Sequence, residues 1–298
     1  MKPVVYVNGV IRDAREASVP VFDHGFLYGE GIYETLRTYE SQPFVFDRHM
    51  ARLRRSAELL VLPVPFTNAD LLARVRETLA AACAGDPAPG EAYIRMLVTR
   101  GVGELTYEPA ACPTPTLVII VKPLVRPAEE TFAKGIRLSL VSVRRNHPQA
   151  LNPLIKSNNL LNNAMAMQEA LRNGAVEALM QNHDGEIVEC SQSNFFVVRG
   201  GVVTTPPLSA GLLPGITRAL VLELAGTLGI PAKEGRVTAA DLALVDEAFI
   251  TATTREVTPV VAIDRVPVGS GAPGPITRRL LAEFRRHIAG WAAPVSKP

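Results

Sequence analysis

The chain is poor in lysine, and one of its lysines lies in an unusual context. Only six of its 31 basic residues are lysines, and the rest are arginines. An arginine keeps its proton inside a protein, whereas a lysine desolvated among apolar residues loses its proton readily. Lys156 follows an apolar Pro-Leu-Ile run and precedes Ser157, Asn158 and Asn159, which offer polar groups and a helix start. This context is typical of an amine that bonds to a carbonyl group, although a lysine snorkelling beside a helix has the same local sequence.

Three other short patterns can hold an anion or a ring. In LLPGITRAL, Gly215 precedes a helical run, so the N–H groups of Ile216 and Thr217 are predicted to face an anion at a helix N-terminus. Arg52 lies on an amphipathic stretch beside two further arginines, where a solvated helix face is the commoner outcome. Glu189 ends a strand-like run, and a carboxylate there can hold a proton on a ring nitrogen. Each of these patterns is weak alone.

Hydrophobic periodicity predicts the elements that must position these residues. Asn8-Gly9 between two β-type runs predicts a hairpin, and residues 47–62 have helical spacing with Asp47 as the N-cap. A second helix is predicted within 68–85, and a hairpin turn is predicted at Asp184-Gly185. Further strands are predicted at 93–100, 116–122, 136–143 and 247–253, with helices ending near Gly174, running from Gly215 to about Leu228, and starting near Pro275.

Length and composition predict two domains. The chain has 298 residues, and its stretch rich in proline and charge at 123–134 is the best candidate for a linker. This gives an N-terminal domain over 1–122 and a C-terminal domain over 135–298 that contains Lys156. Strands and helices alternate in both, so the predicted fold class is α/β, with two domains.

Charge and cysteine content restrict the partners. The formal net charge is +2 with basic residues spread along the chain, so we predict no nucleic acid and no membrane surface as partner. No apolar run reaches the ~18 residues of a transmembrane helix. Three cysteines without C-x-x-C spacing argue against a disulfide framework and against a metal site. A small-molecule partner and a cytoplasmic location are therefore predicted.

Taken together and in order, the motifs resemble those of the class IV, fold type IV pyridoxal-phosphate-dependent aminotransferases. The resemblance covers nearly the whole chain, from FDHGFLYGEGIYETLR to GPITRRL. It implies a small N-terminal α/β domain and a larger C-terminal α/β pseudo-barrel domain carrying the Schiff-base lysine. The matching motifs are H-x-x-R-L (49–53), I-K-S-x-N (155–159), E-x-x-x-x-N (189–194), G-I-T-R (215–218) and T-A-T-T-x-E-x-T-P (251–259).

The resemblance implies roles toward pyridoxal 5′-phosphate. Lys156 would be the Schiff-base lysine and would also move the proton of the substrate α-carbon. Glu189 would accept the N–H of the cofactor ring, and Leu213 would pack on the face of that ring. The residues implied to bind the cofactor phosphate are Arg52, Gly215, Ile216, Thr217 and Thr253.

The substrate residues implied by the resemblance lie mostly in the N-terminal half. Tyr93 and Arg95 alternate on a predicted strand and so share one face, and they are similar to the Y-x-R element of L-branched-chain aminotransferases. There the tyrosine seats the α-carboxylate, and the arginine receives the distal carboxylate of glutamate. Tyr28, Tyr33 and Ala252 match other pocket positions. Residues 101–109 resemble a loop that reaches the neighbouring subunit's site, which implies a homodimer or a higher homo-oligomer.

Three reactions remain open within this family. The first is transfer of the amino group of L-leucine, L-isoleucine or L-valine to 2-oxoglutarate. The second is D-amino-acid transamination, indicated by Leu161, where branched-chain members carry a tyrosine, and by TATTRE (251–256). The third is aminodeoxychorismate lyase activity, indicated by the Glu189-Cys190 pair. A non-catalytic binding role would require an unmodified Lys156.

Overall fold

The computed structural model describes residues 1–292, whose contacts divide the chain into two units. The first unit contains Met1–Val125, Ile155–Leu160 and residues 289–292, and the second contains Arg126–Leu154 and Leu161–Ile288. The segment around Lys156 thus groups with the first unit, whereas the sequence assigned it to the C-terminal domain. The reason is a set of backbone hydrogen bonds that local sequence does not reveal. Residues 293–298 of the predicted domain lie outside the described residues.

The first unit contains a six-stranded antiparallel sheet. Its strands lie in the spatial order β2-β1-β6-β5-β3-β4. The Asn8-Gly9 turn joins β1 to β2 with positive φ at both residues, as predicted. The strands are β1 (Val4–Val7), β2 (Val10–Asp13), β3 (Gly31–Tyr39), β4 (Gln42–Pro43), β5 (Ala92–Thr99) and β6 (Thr116–Pro123).

Three helices accompany this sheet: α1 (His24–Leu27), α2 (Phe46–Leu60) and α3 (Asn68–Cys83). The apolar faces of α2 and α3 share one buried cluster with Ile94 and Met96 of β5. Asp47 was predicted as the N-cap of α2, and this is wrong. Val45, with a φ of 43°, precedes the helix, and Asp47 lies in its first turn because the buried Phe46 is already helical.

Strand β5 shows why one face of this sheet is available for function. Ala92, Ile94, Met96 and Val98 are completely buried in the helix-covered core. Tyr93, Arg95 and Leu97 alternate with them and are half-buried on the opposite face. The predicted alternation is therefore present, and it separates stabilising residues from residues that can meet a ligand.

Six strands of the second unit close into a barrel. Their order is β10-β13-β14-β7-β8-β9, and a pairing of Glu189 on β9 with Asn194 on β10 closes the ring. Strands β11 and β12 extend beyond β10, and β15 pairs with β14. The strands are β7 (Ile136–Leu140), β8 (Glu177–Gln181), β9 (Ile187–Cys190), β10 (Asn194–Arg199), β11 (Val202–Thr205), β12 (Ala232–Glu234), β13 (Glu247–Ala252), β14 (Glu256–Ile263) and β15 (Val266–Pro267).

Four further helices follow in chain order: α4 (Glu129–Lys134), α5 (Leu161–Arg172), α6 (Ile216–Thr227) and α7 (Pro275–Ala292). Helix α4 occupies the end of the predicted linker. Among the described residues, no helix combines the length and apolar character needed to cross a bilayer. The two units contain a mixed α/β fold with one barrel, so the predicted fold class is confirmed.

The hairpin turn allows a direct test of backbone strain. Gly9 has a φ of +102° and open space around it, so Gly9→Ala adds no clash but forces alanine into an unfavourable conformation. We expect a loss of about 1 kcal/mol in the free energy of unfolding, measured by urea denaturation. Gly226→Ala, within α6 and equally open, is the control and should stabilise by up to about 1 kcal/mol. Equal changes in the unfolding free energy for the two substitutions would contradict the positive φ of Gly9.

Candidate functional site

Lys156 lies in an extended segment that backbone hydrogen bonds attach to two elements of the first unit. Its N–H donates to Ser56 Oγ on α2 at 3.0 Å, and its carbonyl accepts from the Tyr33 N–H of β3 at 2.9 Å. The side chain is half-buried, with Nζ 4.5 Å from the centre of the Tyr33 ring. The backbone is thus held in place while the amine remains accessible on a flexible chain, as a covalent nucleophile requires.

The Ser-Asn-Asn run after Lys156 does not start a helix. Ser157 forms a bridge with Ile32, and the Asn158 N–H donates to the carbonyl of Gly31 at 2.8 Å. The backbone groups of Ser157 and Asn158 therefore pair with β3, and α5 begins only at Leu161.

Arg52 is buried on α2 and is oriented by Glu34 of β3. Its Nε and Nη2 donate to the two carboxylate oxygens at 2.8 and 2.7 Å, and His49 Nδ1 lies 2.7 Å from Glu34 Oε2. Burial alone raises the pKa of Glu34, but Arg52 and His49 outweigh it and lower that pKa to about 2. Burial lowers the pKa of His49, so its neutral ring donates from Nδ1 to the carboxylate. Arg52 is therefore a fixed cation.

Tyr33 brings two predicted site residues together on the open face of the sheet. Arg95 Cζ lies 4.0 Å from the centre of the Tyr33 ring, which also contacts Lys156 Nζ. Tyr93 is two residues from Arg95 on the same face, and its ring lies 5.1 Å from Lys122 Nζ. The amine, the ring and the guanidinium therefore form one group, with Tyr93 beside it.

Tyr28 packs in a separate aromatic group of the first unit. Its ring centre is 4.9 Å from that of His24 and 5.1 Å from that of Tyr107. His24 Nε2 lies 2.9 Å from the Glu104 carbonyl, which ties this group to the 101–109 loop.

In the second unit, Glu189 is a buried carboxylate with several donors. Arg145 Nε donates to its Oε1 at 2.8 Å, while the Leu213 N–H and Asn194 Nδ2 donate to its Oε2 at 3.1 and 3.3 Å. Arg145 is itself buried. The ion pair with Arg145 fixes the direction of the carboxylate, whose oxygens can accept the N–H of a ring nitrogen.

Asn194 joins Glu189 to the loop that starts α6. Its Nδ2 also donates to the Leu213 carbonyl at 2.9 Å. A Cβ on Gly215 would lie 1.8 Å from Asn194 Oδ1, so only glycine fits here. Helix α6 then begins at Ile216 without a side-chain cap, which leaves its first N–H groups and the buried Thr217 for an anion.

The predicted residues Ala252 and Thr253 lie at the end of β13 and in the turn that follows it, and both are half-buried. Thr251, immediately before them, pairs with Asn194. Among the described residues, Thr251 Oγ1 is a buried hydroxyl oxygen with no hydrogen-bond partner.

These donor sets fit pyridoxal 5′-phosphate. An uncapped helix N-terminus and a buried hydroxyl group suit a phosphate, and a paired carboxylate suits a ring N–H. Within the first unit taken by itself, the accessible amine of Lys156 suits a carbonyl group. Among the described residues, no group of three or more His, Cys, Asp or Glu side chains could hold a metal ion.

Comparison with known proteins identifies the family. A model of the family "Amino-transferase class IV" matches residues 31–263. The chain belongs to the class IV aminotransferases. A Methanocaldococcus jannaschii protein, provisionally named a branched-chain-amino-acid aminotransferase, is 39% identical over 98% of each chain. A Bacillus licheniformis D-alanine aminotransferase is 34% identical over 95% of this chain and 96% of its own.

A solved structure agrees with this family assignment. The branched-chain aminotransferase of the thermophilic archaeon Thermoproteus uzoniensis, solved with norvaline, has a TM-score of 0.87 and 34% identity. The match covers 96% of this chain and 95% of that one. The family depends on pyridoxal phosphate, so the predicted transaminase activity and the predicted cofactor are both confirmed. The roles of individual residues stay predictions.

Within each unit, several residues that contact predicted site residues were not themselves predicted from the sequence. Glu34 lies between apolar core residues on β3, whereas Arg145 lies in a polar segment that gives no local signal. Asn194 and Thr251 belong to the matched motifs, but no role was predicted for either residue. The alternation of Glu34 with Ile32 and Leu36 on the core face is a signal that could have revealed a buried carboxylate.

The lowered pKa of Glu34 predicts acid sensitivity. Because this carboxylate stays ionised to lower pH in the folded than in the unfolded protein, its stabilisation is present above pH 4.5 and disappears between 4.5 and about 2. That stabilisation is about 3 kcal/mol at most. The lowered pKa of His49 acts in the same direction, since the unfolded chain takes up its proton first.

Glu34→Gln tests this expectation. At pH 7 it leaves Arg52 buried without its charged partner, which should cost about 3–5 kcal/mol. The difference in urea unfolding free energy between the two proteins should then narrow as the pH falls from 5 toward 2.5. A constant difference over this range would show that Glu34 does not titrate as described.

Proposed function

We propose that this class IV aminotransferase transfers the amino group of L-leucine, L-isoleucine or L-valine to 2-oxoglutarate. The observation that carries the proposal is the position of Tyr93 and Arg95 on the open face of β5, with Arg95 stacked on Tyr33 beside Lys156. The Methanocaldococcus jannaschii relative and the Thermoproteus uzoniensis enzyme carry branched-chain names, which supports the same substrate class.

Lys156 would bond covalently to the cofactor and move the proton of the substrate α-carbon. When bound, pyridoxal phosphate supplies an electron-withdrawing ring that stabilises negative charge at that carbon. The hydrogen bonds to Ser56 and Tyr33 hold the backbone of Lys156, so that only the side chain needs to move. An amine on a fixed backbone can take the proton and return it repeatedly.

Glu189 would hold a proton on the ring nitrogen of the cofactor. Arg145, Asn194 and the Leu213 N–H bond to both of its oxygens and so set the direction of the carboxylate. Leu213 would pack on the ring. The phosphate would be held by N–H and hydroxyl donors and one cation, from Arg52, Gly215, Ile216, Thr217 and Thr253.

Arg95 would receive the distal carboxylate of glutamate and 2-oxoglutarate, and Tyr93 would seat the α-carboxylate. An arginine binds a carboxylate through two parallel N–H groups, so it distinguishes a dicarboxylic acid from an aliphatic one. Tyr28, Tyr33 and Ala252 would line the rest of the pocket. The apolar side chain of a branched-chain substrate would occupy the same pocket and pack against the Tyr28 and Tyr33 rings.

Two observations favour D-amino-acid transamination as a second candidate. Leu161 stands where branched-chain members carry a tyrosine, and the Bacillus licheniformis relative is a D-alanine aminotransferase. The Glu189-Cys190 pair indicates the aminodeoxychorismate lyase reaction, which is the third candidate. Absorption spectra distinguish the three reactions. The cofactor band should bleach with L-leucine in a branched-chain aminotransferase, with D-alanine in a D-amino-acid transaminase, and with neither in the lyase.

We further propose a cytoplasmic homodimer or a larger homo-oligomer. The three cysteines are free thiols, which suits a reducing compartment. Leu105 and Tyr107 are 67% and 86% exposed on the 101–109 loop, which supports contact with a second subunit. No nucleic-acid or membrane partner is proposed.

Removal of the lysine amine tests the central role. Lys156→Ala should lower kcat for L-leucine by at least about 10⁴-fold, because no other amine replaces the nucleophile and base. It should also abolish the absorption band of the lysine-bound cofactor. Lys122→Ala, at an exposed lysine beside Tyr93, is the matched control and should retain that band. Retained turnover in Lys156→Ala would contradict the assignment.

Substitution of the arginine tests substrate recognition. Arg95→Ala should lower kcat/KM for L-glutamate and 2-oxoglutarate by about 10–100-fold, the value of a charge-assisted hydrogen bond. L-Leucine has no distal carboxylate, so its kcat/KM should fall by less than about fivefold in the first half-reaction. Equal losses for all three substrates would rule out the proposed role of Arg95.

A further inference from the structure

Glu177, the first residue of β8, is a completely buried carboxylate outside the set of predicted site residues. It accepts three hydrogen bonds from the turn between β9 and β10. The donors are Ser191 Oγ at 3.4 Å, the Gln192 N–H at 2.5 Å and Ser193 Oγ at 3.0 Å. This turn lies between Cys190, the last residue of β9, and Asn194, the first residue of β10. Glu177 therefore holds the segment between the two residues that close the barrel.

The same carboxylate also binds the turn between β13 and β14. Arg255 Nη1 donates to Glu177 Oε2 at 2.6 Å, and Arg255 Nη2 lies 3.4 Å from Gln192 Oε1. Arg255 follows Ala252 and Thr253 along the chain. One buried carboxylate therefore joins two turns of the second unit. The first turn follows β9, which contains the predicted residue Glu189, and the second turn contains the predicted residue Thr253.

Burial of this carboxylate opposes its ionisation. Burial raises the pKa of Glu177, although Arg255 and the turn donors act in the opposite direction. An apolar side chain at such a position is commonly as stabilising as a buried ion pair. The advantage of the carboxylate is that it can accept donors from two turns at once, which fixes their relative position.

We propose that Glu177 is a positioning residue for the transamination site, acting through the 191–193 turn on Glu189 and through Arg255 on Thr253. This proposal rests on the function proposed above. Displacement of Ser193 carries with it Asn194, whose amide holds both Glu189 and the Leu213 carbonyl. A loosened turn would thus change the direction of the carboxylate toward the ring nitrogen.

Glu177→Gln tests the proposal, because it preserves volume but offers only one acceptor oxygen and removes the ion pair with Arg255. The holoenzyme is loaded with pyridoxal phosphate labelled with ¹⁵N in the ring. We expect the ring ¹⁵N resonance to move toward its unprotonated position and kcat for L-leucine to fall about 10–100-fold, with KM changed less than about threefold. Glu186→Gln is the matched control on the same hairpin, since it removes an ion pair with the exposed Arg236, while the remaining amide oxygen can still accept from Asn182 Nδ2.

Two further variants separate the possible outcomes. Ser193→Ala removes a single hydrogen bond to Glu177 and should shift the ring ¹⁵N resonance in the same direction by less, which keeps the test available if Glu177→Gln does not fold. An unchanged resonance and kcat in Glu177→Gln, or in Ser193→Ala if that is the variant that folds, would overturn the positioning role, even with a lower melting temperature. Glu189→Gln tests the underlying function. If it too leaves the resonance unchanged, the proposed role of Glu189 fails, whereas a shift in this variant alone refutes only the role of Glu177.

Discussion

Carboxylates removed from water constrain this fold, because a desolvated negative charge is tolerated only beside a cation or several N–H donors. Among the described residues, five glutamates are at most 6% exposed, and each bonds to a segment elsewhere in the chain. Four use an arginine, and the fifth accepts the first N–H groups of α7. The groups are Glu34 with Arg52, Glu177 with Arg255, Glu189 with Arg145, Glu256 with Arg285, and Glu247 with the N–H groups of Ile276 and Thr277.

The scarcity of lysine follows the same logic. A guanidinium stays charged when buried and donates in several directions, so it can hold a carboxylate and a neighbouring group together. Arg145 does this with Glu189 and Asn162, and Arg255 with Glu177 and Gln192. The lysine amine has the opposite property, since it can lose its proton. These two arginines thus connect separate segments of the fold, whereas the chemical role that we propose belongs to Lys156.

Burial also separates the residues that orient from the residues that would react. Lys156, Tyr33 and Arg95 are half-buried, whereas Glu34 and Glu177 are completely buried. A reacting side chain needs access to its ligand, while an orienting side chain is most effective where water cannot compete for its hydrogen bonds. The alternation of a strand achieves this separation in β3, where Glu34 faces the core and Tyr33 faces the opposite side with Lys156 and Arg95.

Much of the local structure was readable from residue order. The Asn8-Gly9 hairpin, the α2 and α3 periodicity and the β5 alternation all depend on neighbours within a few residues. The motifs around Lys156 and Glu189 likewise indicated the family and its cofactor. The local elements are encoded in short-range spacing, which needs no knowledge of the fold, whereas the family and the cofactor were implied by the resemblance of the motifs.

Pairing across the chain could not be read in this way. Arg145 and Glu189 are 44 residues apart, and Glu177 and Arg255 are 78 residues apart, so no spacing rule connects them. In isolation a charged residue is expected at the surface, which is why Glu34, Glu177 and Arg145 went unnoticed. The segment around Lys156 joined the first unit for the same reason, since its hydrogen-bond partners on α2 and β3 lie 100 or more residues earlier. Folding brings these groups together because each buried charge and each buried N–H needs a partner, wherever in the chain that partner lies.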